Sequence, residues 1–313
     1  MKIPLAKLVL SLAVIVSMGA CKRKEYNPLL GTPDPTTSDV QMYVRGVDNT
    51  QPPTVAVLFQ SVANASVRMR DLSLGNFAVL QDGVPLIPTT YSEASSYPFA
   101  VMLVIDRSGS MDTSFAGSTR TVAANDAASY FLQHVLPESA QAGLVEFDNG
   151  VQLTVGMTSD KASVAAAINS STFGGGGTAL YDAIVRGAQE LSKATGLRLL
   201  IVLTDGADNS SSHTPAQTAA ALQAIGTVAN GVIIGGDVTD TSKMRSIILP
   251  TGGKVTTSMD PAQLKADLNA TLHSGYFDDI YALTFRRRNN EPNIKIYVSY
   301  GSISSSVDLS VYR

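Results

Sequence analysis

The residues best suited to chemistry follow an apolar stretch of the chain. Asp106, Ser108 and Ser110 come directly after the run 99–105, and Gly109 lets the backbone turn between the two serines. An uninterrupted run of apolar and β-branched residues predicts a strand buried on both faces, as in a parallel sheet covered by helices. Ligands bind at the carboxyl ends of such strands. A carboxylate followed by two hydroxyls supplies hard oxygen donors, which suit Mg²⁺ or a similar cation.

Two further segments complete the candidate set. The glycine run 174–177 and Thr178 directly precede a pattern with the apolar spacing of a helix. The apolar run 197–204 predicts a second buried strand, and Asp205 follows it at once. Both segments therefore place an oxygen-bearing side chain where a regular element begins or ends.

These segments resemble the von Willebrand factor type A domain with its metal-ion-dependent adhesion site. The motif of that family is Asp-x-Ser-x-Ser, a distant Thr and a distant Asp, and it matches Asp106, Ser108, Ser110, Thr178 and Asp205. The resemblance extends roughly from residue 98 to residue 273. It implies an α/β fold with a doubly wound, mostly parallel six-stranded sheet and helices on both faces. It also implies that the five residues bind Mg²⁺, or alternatively Mn²⁺ or Ca²⁺.

Each piece of the motif also has an ordinary structural interpretation. Residues 106–110 are typical of a turn, and Thr178 could be only the N-cap of its helix. Asp205-Gly206 is a common turn dipeptide, and the glycine run could be a flexible link. The metal site is favoured because all the pieces occur together, in the order of the family and next to two predicted buried strands.

Composition indicates a globular chain without a nucleic-acid partner. The 313 residues are 44% hydrophobic and carry a net charge of -3, and no basic stripe stands out. The histidines at 134, 213 and 273 do not pair with one another or with cysteine at ligand spacing, which argues against zinc. Arg107, Asp208, Asn209 and His213 lie near the motif in sequence, and solvated surface positions are expected for all four.

No enzymatic activity is expected. Ser108 has no recognisable catalytic base, and the chain has no Gly-x-Ser-x-Gly elbow. A strand that ends in aspartate also occurs in phosphatases of the haloacid dehalogenase type. Those enzymes need a second aspartate two residues later, where this chain has Ser108.

The N-terminal residues predict secretion and a lipid anchor. Residues 1–20 have early lysines and a nearly continuous apolar stretch that is shorter than a bilayer-spanning helix, as in a signal peptide. The segment before Cys21 resembles the bacterial lipoprotein cleavage box, although Met18 stands where Leu is usual. A free thiol at Cys21, the single cysteine, is the alternative. No Asp follows Cys21 directly, and in this the chain resembles lipoproteins that are sorted to the outer membrane. Residues 21–39 then form a lipid-anchored tether in the bacterial cell envelope.

The two segments that flank the predicted type A domain are typical of small antiparallel sheets. In residues 40–97, Asp82-Gly83 between two apolar runs predicts a hairpin. Residues 280–313 alternate apolar and polar side chains, which indicates strands with one face in water. We expect both segments to form one β-domain around a type A domain at 98–279. Two independent sheets are the alternative.

Strands and helices alternate between these flanks, as in a doubly wound sheet. From the resemblance, the strand at 152–155 is expected at the antiparallel edge. Thr214-Pro215 predicts the start of a helix that runs to about residue 229.

The resemblance implies metal-dependent binding as the function. Ser108, Ser110 and Thr178 would supply neutral hydroxyl ligands, while Asp106 and Asp205 hold the ion, often through water. A cation that is under-neutralised in this way attracts an acidic side chain of a protein or other macromolecule. The expected role is adhesion or complex assembly. The alternatives are a structural envelope component whose metal site only stabilises the fold and, less favoured, a metal-dependent hydrolase.

Overall fold

The computed structural model describes residues 39–48, 51–63, 67–69, 72–93, 97–236, 241–273, 280–301 and 303–310. The predicted signal peptide, Cys21 and nearly all of the predicted tether lie outside these ranges. None of the helices within them is long and apolar enough to cross a membrane.

The described elements fall into three consecutive groups. The first group consists of the strands β1 (Val40–Asp48), β2 (Thr54–Ala63), β3 (Val67–Arg68), β4 (Phe77–Gln81), β5 (Val84–Leu86) and β6 (Pro88–Glu93). The middle group has the strands β7 (Phe99–Asp106), β8 (Ser114–Phe115), β9 (Ser118–Thr119), β10 (Gln141–Phe147), β11 (Val151–Thr158), β12 (Gly196–Thr204), β13 (Val228–Ile234) and β14 (Val255–Ser258). Its α-helices are α1 (Arg120–Tyr130), α2 (Lys161–Ser170), α3 (Leu180–Leu191), α4 (Pro215–Ala224), α5 (Ser242–Ile248) and α6 (Pro261–His273). The last group consists of β15 (Tyr281–Arg286), β16 (Asn293–Tyr300) and β17 (Ile303–Ser310).

Six strands of the middle group form the predicted doubly wound sheet. Their order is β11-β10-β7-β12-β13-β14, and all neighbours are parallel except the edge strand β11, which is antiparallel to β10. Helices α1, α2 and α6 cover one face, and α3, α4 and α5 cover the other. In β7, Val101 and Leu103 face the first core while Met102 and Val104 face the second. Because both faces are covered, the strand has to be apolar throughout.

The order of the strands reverses between β7 and β12. From β7 the chain first builds β10 on one side and later returns to build β12 on the other, where Ile105 is paired with Leu203. Ligands of open α/β sheets bind outside the carboxyl ends of the strands at such a reversal. The residues that follow β7 and β12 therefore occupy the expected ligand position of this fold.

The two flanking segments build a small antiparallel β-domain. One sheet has the order β1-β2-β15-β6, and the other has the order β17-β16-β4-β5. Phe59 and Leu283 from the first sheet share a hydrophobic core with Phe77 and Ile296 from the second. Each sheet thus combines strands from both ends of the chain, as the predicted β-domain requires. Its exact limits at residues 97 and 280 stay a prediction.

One helix end differs from the sequence-based expectation, and one strand pairing was not predicted. The helix predicted to reach about residue 229 ends at Ala224, because Gly226 turns with a φ of +60° and Val228 already begins a buried strand. In addition, Gly46 of β1 pairs with Leu197 of β12, which joins a sheet of the β-domain to the central sheet.

Candidate metal site

Asp106 is the last residue of β7, and its carboxylate is fully buried. Its Oδ1 accepts a hydrogen bond from the Ser108 N–H at 2.8 Å, and its Oδ2 accepts one from the Thr204 hydroxyl at 2.5 Å. Burial raises the pKa of Asp106 to about 6; the hydrogen bonds from Thr204 and Ser108 oppose this rise, and the charge of Asp205 adds to it. The carboxylate is therefore held in one orientation, at a place where its negative charge is costly without a neighbouring cation.

Asp205 directly follows β12 and contacts the segment after β7. Its Oδ1 accepts a hydrogen bond of 2.7 Å from the Ser110 hydroxyl, and Ser110 Oγ lies 3.1 Å from Ser108 Oγ. Asp106, Ser108, Ser110 and Asp205 thus form one connected group, which we call the oxygen set. Ser110 is exposed whereas the other three residues are buried, so the set reaches solvent at Ser110.

Thr178 is joined to the oxygen set through the loop 206–213, which follows Asp205. Its N–H donates to Asn209 Oδ1 at 2.8 Å, and its carbonyl accepts the Asn209 N–H at 3.0 Å. A Cβ built on Gly206 would lie 3.8 Å from Thr178 Oγ1, so the hydroxyl faces the residue next to Asp205. The N-cap of α3 is Ala179 rather than Thr178. Within the described ranges, the hydrogen bonds of Thr178 use only its backbone, which leaves the hydroxyl for another ligand.

The loop 206–213 caps the first turn of α3. Asp208 Oδ2 accepts the Tyr181 N–H at 3.2 Å, and Ser211 Oγ accepts the Asp182 N–H at 3.0 Å. The first N–H groups of a helix have no partners within the helix, so these side chains satisfy them. Asp208 and Asn209 therefore do more than occupy a surface turn, because they fix the start of α3 relative to the end of β12.

Asp182 anchors the far end of the same loop. Its carboxylate accepts the N–H groups of Ser212 and His213 at 3.0 and 2.9 Å, and its Oδ1 lies 2.7 Å from His213 Nδ1. Partial burial alone would raise the pKa of Asp182, but the hydrogen bonds from Ser212 and His213 outweigh it and lower the pKa to about 2. His213 is thus engaged with a carboxylate instead of being merely solvated. Of the other histidines, His134 is exposed, and the side chain of His273 lies outside the description.

Arg107, the variable residue of the motif, is buried, whereas a solvated surface position was expected from the sequence. Its Nε donates to Glu146 Oε1 at 2.8 Å in an ion pair, and its Nη1 donates to Asn125 Oδ1 at 2.6 Å. Its carbonyl accepts the N–H of Gly175 at 2.9 Å. Arg107 therefore ties the turn after β7 to β10, to α1 and to the glycine run. A buried guanidinium requires such partners, but the partners were too far away in sequence to be identified.

The glycine run is a packed part of the site. Gly175 and Gly176 have φ angles of +102° and +81°, which side chains rarely allow. A Cβ on Gly177 would lie 2.4 Å from Ser210 Oγ, and a Cβ on Gly174 would lie 3.0 Å from the Arg107 carbonyl oxygen. The run consequently passes close to both the motif segment and the loop 206–213, which does not fit the alternative of a simple link.

Two residues of the site were missed by sequence analysis. Thr204 holds Asp106, and Arg120 forms an ion pair with Asp205 in which Nη1 lies 2.5 Å from Oδ2. A hydroxyl at the very end of a buried strand, directly before Asp205, was a usable signal for Thr204. Arg120 precedes Asp205 by 85 residues and lies in no recognisable pattern.

The oxygen set supplies the hydroxyl and carboxylate oxygens that a hard divalent cation prefers. The distances from Ser110 Oγ to Ser108 Oγ and to Asp205 Oδ1 are 3.1 and 2.7 Å. The described ranges contain no group of three or more Asp, Glu, His or Cys side chains that could hold an ion. Hydroxyl ligands are therefore needed to complete a site here.

Comparison with known proteins matches the segment that carries this set to one family model. Residues 101–208 match the family model of the von Willebrand factor type A domain. The calcium-activated chloride channel regulator 3A-1 of Mus musculus is 30% identical over 128 residues, which amount to 39% of this chain and 14% of the mouse protein. The chain thus matches only a small part of that relative.

Solved structures share the fold at low sequence identity. A von Willebrand factor type A structure from Catenulispora acidiphila is 16% identical, with 87% of this chain and 73% of the other covered at a TM-score of 0.50. Proximal thread matrix protein 1 from the mussel byssus, with a zinc-occupied MIDAS motif, is 17% identical, with coverages of 63% and 50% and a TM-score of 0.50. Residues 101–208 therefore match the von Willebrand factor type A domain, and the chain shares its α/β fold with a solved structure of that type.

Proposed function

We propose that this chain is a lipid-anchored protein of the bacterial cell envelope whose type A domain binds a macromolecular partner through a divalent cation. One observation carries the proposal: Asp106, Ser108, Ser110 and Asp205 meet at the carboxyl ends of two adjacent central strands. The zinc-occupied motif of the mussel protein supports a divalent ion at the corresponding place. The hydroxyl and carboxylate oxygens of the oxygen set suit a hard cation, with Mg²⁺ as the first choice and Mn²⁺ or Ca²⁺ as the alternatives.

The residues of the chain prepare the site for an acidic ligand. When bound, the cation supplies an open coordination position with positive charge. Ser108, Ser110 and Thr178 contribute neutral oxygens, and Thr204 keeps the carboxylate of Asp106 oriented. Burying a carboxylate of the partner would be costly without a compensating charge. Recognition should therefore require the metal ion.

The remaining parts of the proposal concern the anchor and the absence of catalysis. Lipidation at Cys21 would tether the domain to the outer membrane through residues 21–39. The hydroxyls of Ser108 and Ser110 contact each other, and that of Ser110 donates to Asp205, which fits a set of metal ligands better than the pairing of a nucleophile with a base.

The ion is tested by thermal unfolding of the purified chain with and without Mg²⁺ or Mn²⁺. A cation that binds only the folded state raises the melting temperature. Asp106→Ala should abolish that rise. Asp112→Ala is the matched control because Asp112 is an exposed carboxylate in the turn just after the motif. An unchanged metal-dependent rise in Asp106→Ala would disprove the site.

The partner is tested by capture from envelope extract in Mg²⁺ and again in EDTA. The unmodified chain should retain a partner only in Mg²⁺, and Asp106→Ala should retain none in either condition. Capture that is equal in EDTA would contradict the proposal. It would favour the alternative of a structural component that uses its β-domain for contact.

A further inference from the structure

Arg120 places a positive charge against the candidate ion site. Its Nη1 lies 2.5 Å from Asp205 Oδ2, and the two side chains are 8% and 0% exposed. The other carboxylate oxygen of Asp205 accepts the hydroxyl hydrogen of Ser110 at 2.7 Å. One carboxylate is thus shared between a buried guanidinium on one side and the oxygen set on the other.

The fold holds this guanidinium in an unfavourable position. Arg120 is the first residue of α1, where the positive end of the helix dipole disfavours a cation, and its burial removes water from a charged group. Gly235, which follows β13 with a φ of +89°, makes room for it: a Cβ there would lie 2.9 Å from Arg120 Nη2. The ion pair with Asp205 offsets part of these costs. The packing of α1 alone does not explain why a buried guanidinium lies at its first turn.

The charges of the site suggest that explanation. Arg120 adds one positive charge beside the site that contains the carboxylates of Asp106 and Asp205. The neighbouring buried pair of Arg107 and Glu146 is neutral by itself. Without the charge of Arg120, the two carboxylates would offset more of the charge of a bound cation, and an anionic ligand would gain less from binding to it.

We propose that Arg120 determines the ligand selectivity of the site. Its charge weakens the binding of the cation and makes the loaded site favour an anionic ligand. The cation and the guanidinium compete for the negative charge of Asp205. The loaded site therefore retains positive charge, which the carboxylate of a partner offsets when it binds to the cation. This inference rests on the proposed function because it concerns the same ion.

The test is a titration of the full chain with Mn²⁺, followed by calorimetry, for Arg120→Gln, Arg120→Met and Arg120→Lys. The first two variants remove the charge and should bind Mn²⁺ about tenfold more tightly or better, whereas Arg120→Lys should stay near the unmodified chain. Arg198→Gln is the matched control. Arg198 is also buried in β12, but near the opposite end of the strand, where it donates to the carbonyls of Ala194 and Ile225.

A second titration in acetate instead of chloride tests selectivity for anions. Acetate should raise the Mn²⁺ affinity of the unmodified chain and raise that of Arg120→Gln several-fold less. An equal effect of acetate on both proteins would overturn the selectivity role. Unchanged or weaker Mn²⁺ binding by folded Arg120→Gln and Arg120→Met would overturn the charge role.

The outcomes separate this inference from the proposed function. If the unmodified chain binds Mn²⁺ and the charge-removing variants bind it equally, only the inference fails. If neither the unmodified chain nor any variant binds Mn²⁺, both fail. Binding by Arg120→Gln alone would support the role of the charge and contradict a native ion site.

A measurement on the unmodified chain decides the case in which both charge-removing variants unfold. The side-chain N–H resonance of Arg120 should shift during a Mg²⁺ titration, since the guanidinium loses part of its interaction with Asp205. A resonance that stays unchanged while Mg²⁺ binds would overturn the competition.

Discussion

The hydroxyl of Thr204 donates a hydrogen bond of 2.5 Å to Asp106 Oδ2, and both residues are fully buried at the ends of neighbouring strands. This contact links β7 and β12 at the point where the two candidate carboxylates emerge. It also opposes the rise in the pKa of Asp106 that burial causes. One neutral side chain therefore both orients the carboxylate and favours its charged form.

We expect Thr204→Val to destabilise the metal-free protein by about 1–3 kcal/mol, because a buried carboxylate oxygen loses its partner. Urea unfolding monitored by circular dichroism measures the change. The control is Thr227→Val, in which a buried hydroxyl loses a 3.0 Å hydrogen bond to the neutral carbonyl of Arg198. A loss for Thr204→Val no larger than that of the control would argue against a special role of the Asp106 contact.

Thr178→Ala should weaken partner binding more than it weakens folding. The hydroxyl makes no hydrogen bond within the described ranges, whereas the backbone of Thr178 is held by Asn209. Asp106 and Asp205 can still retain some cation after the loss of one neutral ligand. The affinity for the captured partner in excess Mg²⁺ should fall at least about tenfold while the melting temperature changes little.

Thr178→Ser, which keeps the hydroxyl, is the control for that experiment and should bind the partner nearly normally. Equal affinities for the unmodified chain and Thr178→Ala would mean that the metal face is not the recognition face. The β-domain would then be the next surface to test.

The anchoring of the loop 206–213 should depend on pH through Asp182. Its pKa is about 2 in the folded protein, below the ordinary value of 3.8. Between these two pH values, the folded state therefore binds fewer protons than the unfolded state. The stability supplied by this group is therefore present above pH 4 and is lost as the pH falls toward 2. Asp182→Asn should be less stable near neutral pH and should show a flatter decline below pH 4.

Denaturant unfolding at several pH values measures this dependence. Asp126→Asn serves as the control because Asp126 is exposed in α1. The raised pKa of Asp106 acts in the opposite direction at higher pH: without metal, its contribution is present below pH 4 and is lost as the pH rises through about 6. The comparison should therefore be made below pH 4, and parallel curves for Asp182→Asn and the unmodified chain would contradict the assignment.

Lipidation at Cys21 is tested by expression in a bacterial host with labelled palmitate. The unmodified chain should incorporate label and partition with membranes, because more than one acyl chain gives stable anchoring. Cys21→Ser should do neither. Label that persists in Cys21→Ser would place the lipid elsewhere or make the cysteine irrelevant.

Much of the fold could be predicted from local sequence because its signals are short in range. The apolar run 99–105 indicated a strand buried on both faces, and the structure places its side chains in two cores. Asp82-Gly83 indicated a hairpin, and these residues adopt φ angles of +48° and +76° between β4 and β5. The order of the oxygen-bearing residues indicated a candidate site and the family of the domain.

The sequence by itself determined where the central strands β7 and β12 run, because apolar period and turn preference act between near neighbours. Only the tertiary structure decided which charged groups meet. Arg120 finds Asp205 at a separation of 85 residues, and Arg107 finds Glu146 at a separation of 39. The physical reason is that a buried charge is stable only beside a partner, and its partner depends on which strand ends become neighbours when the sheet assembles.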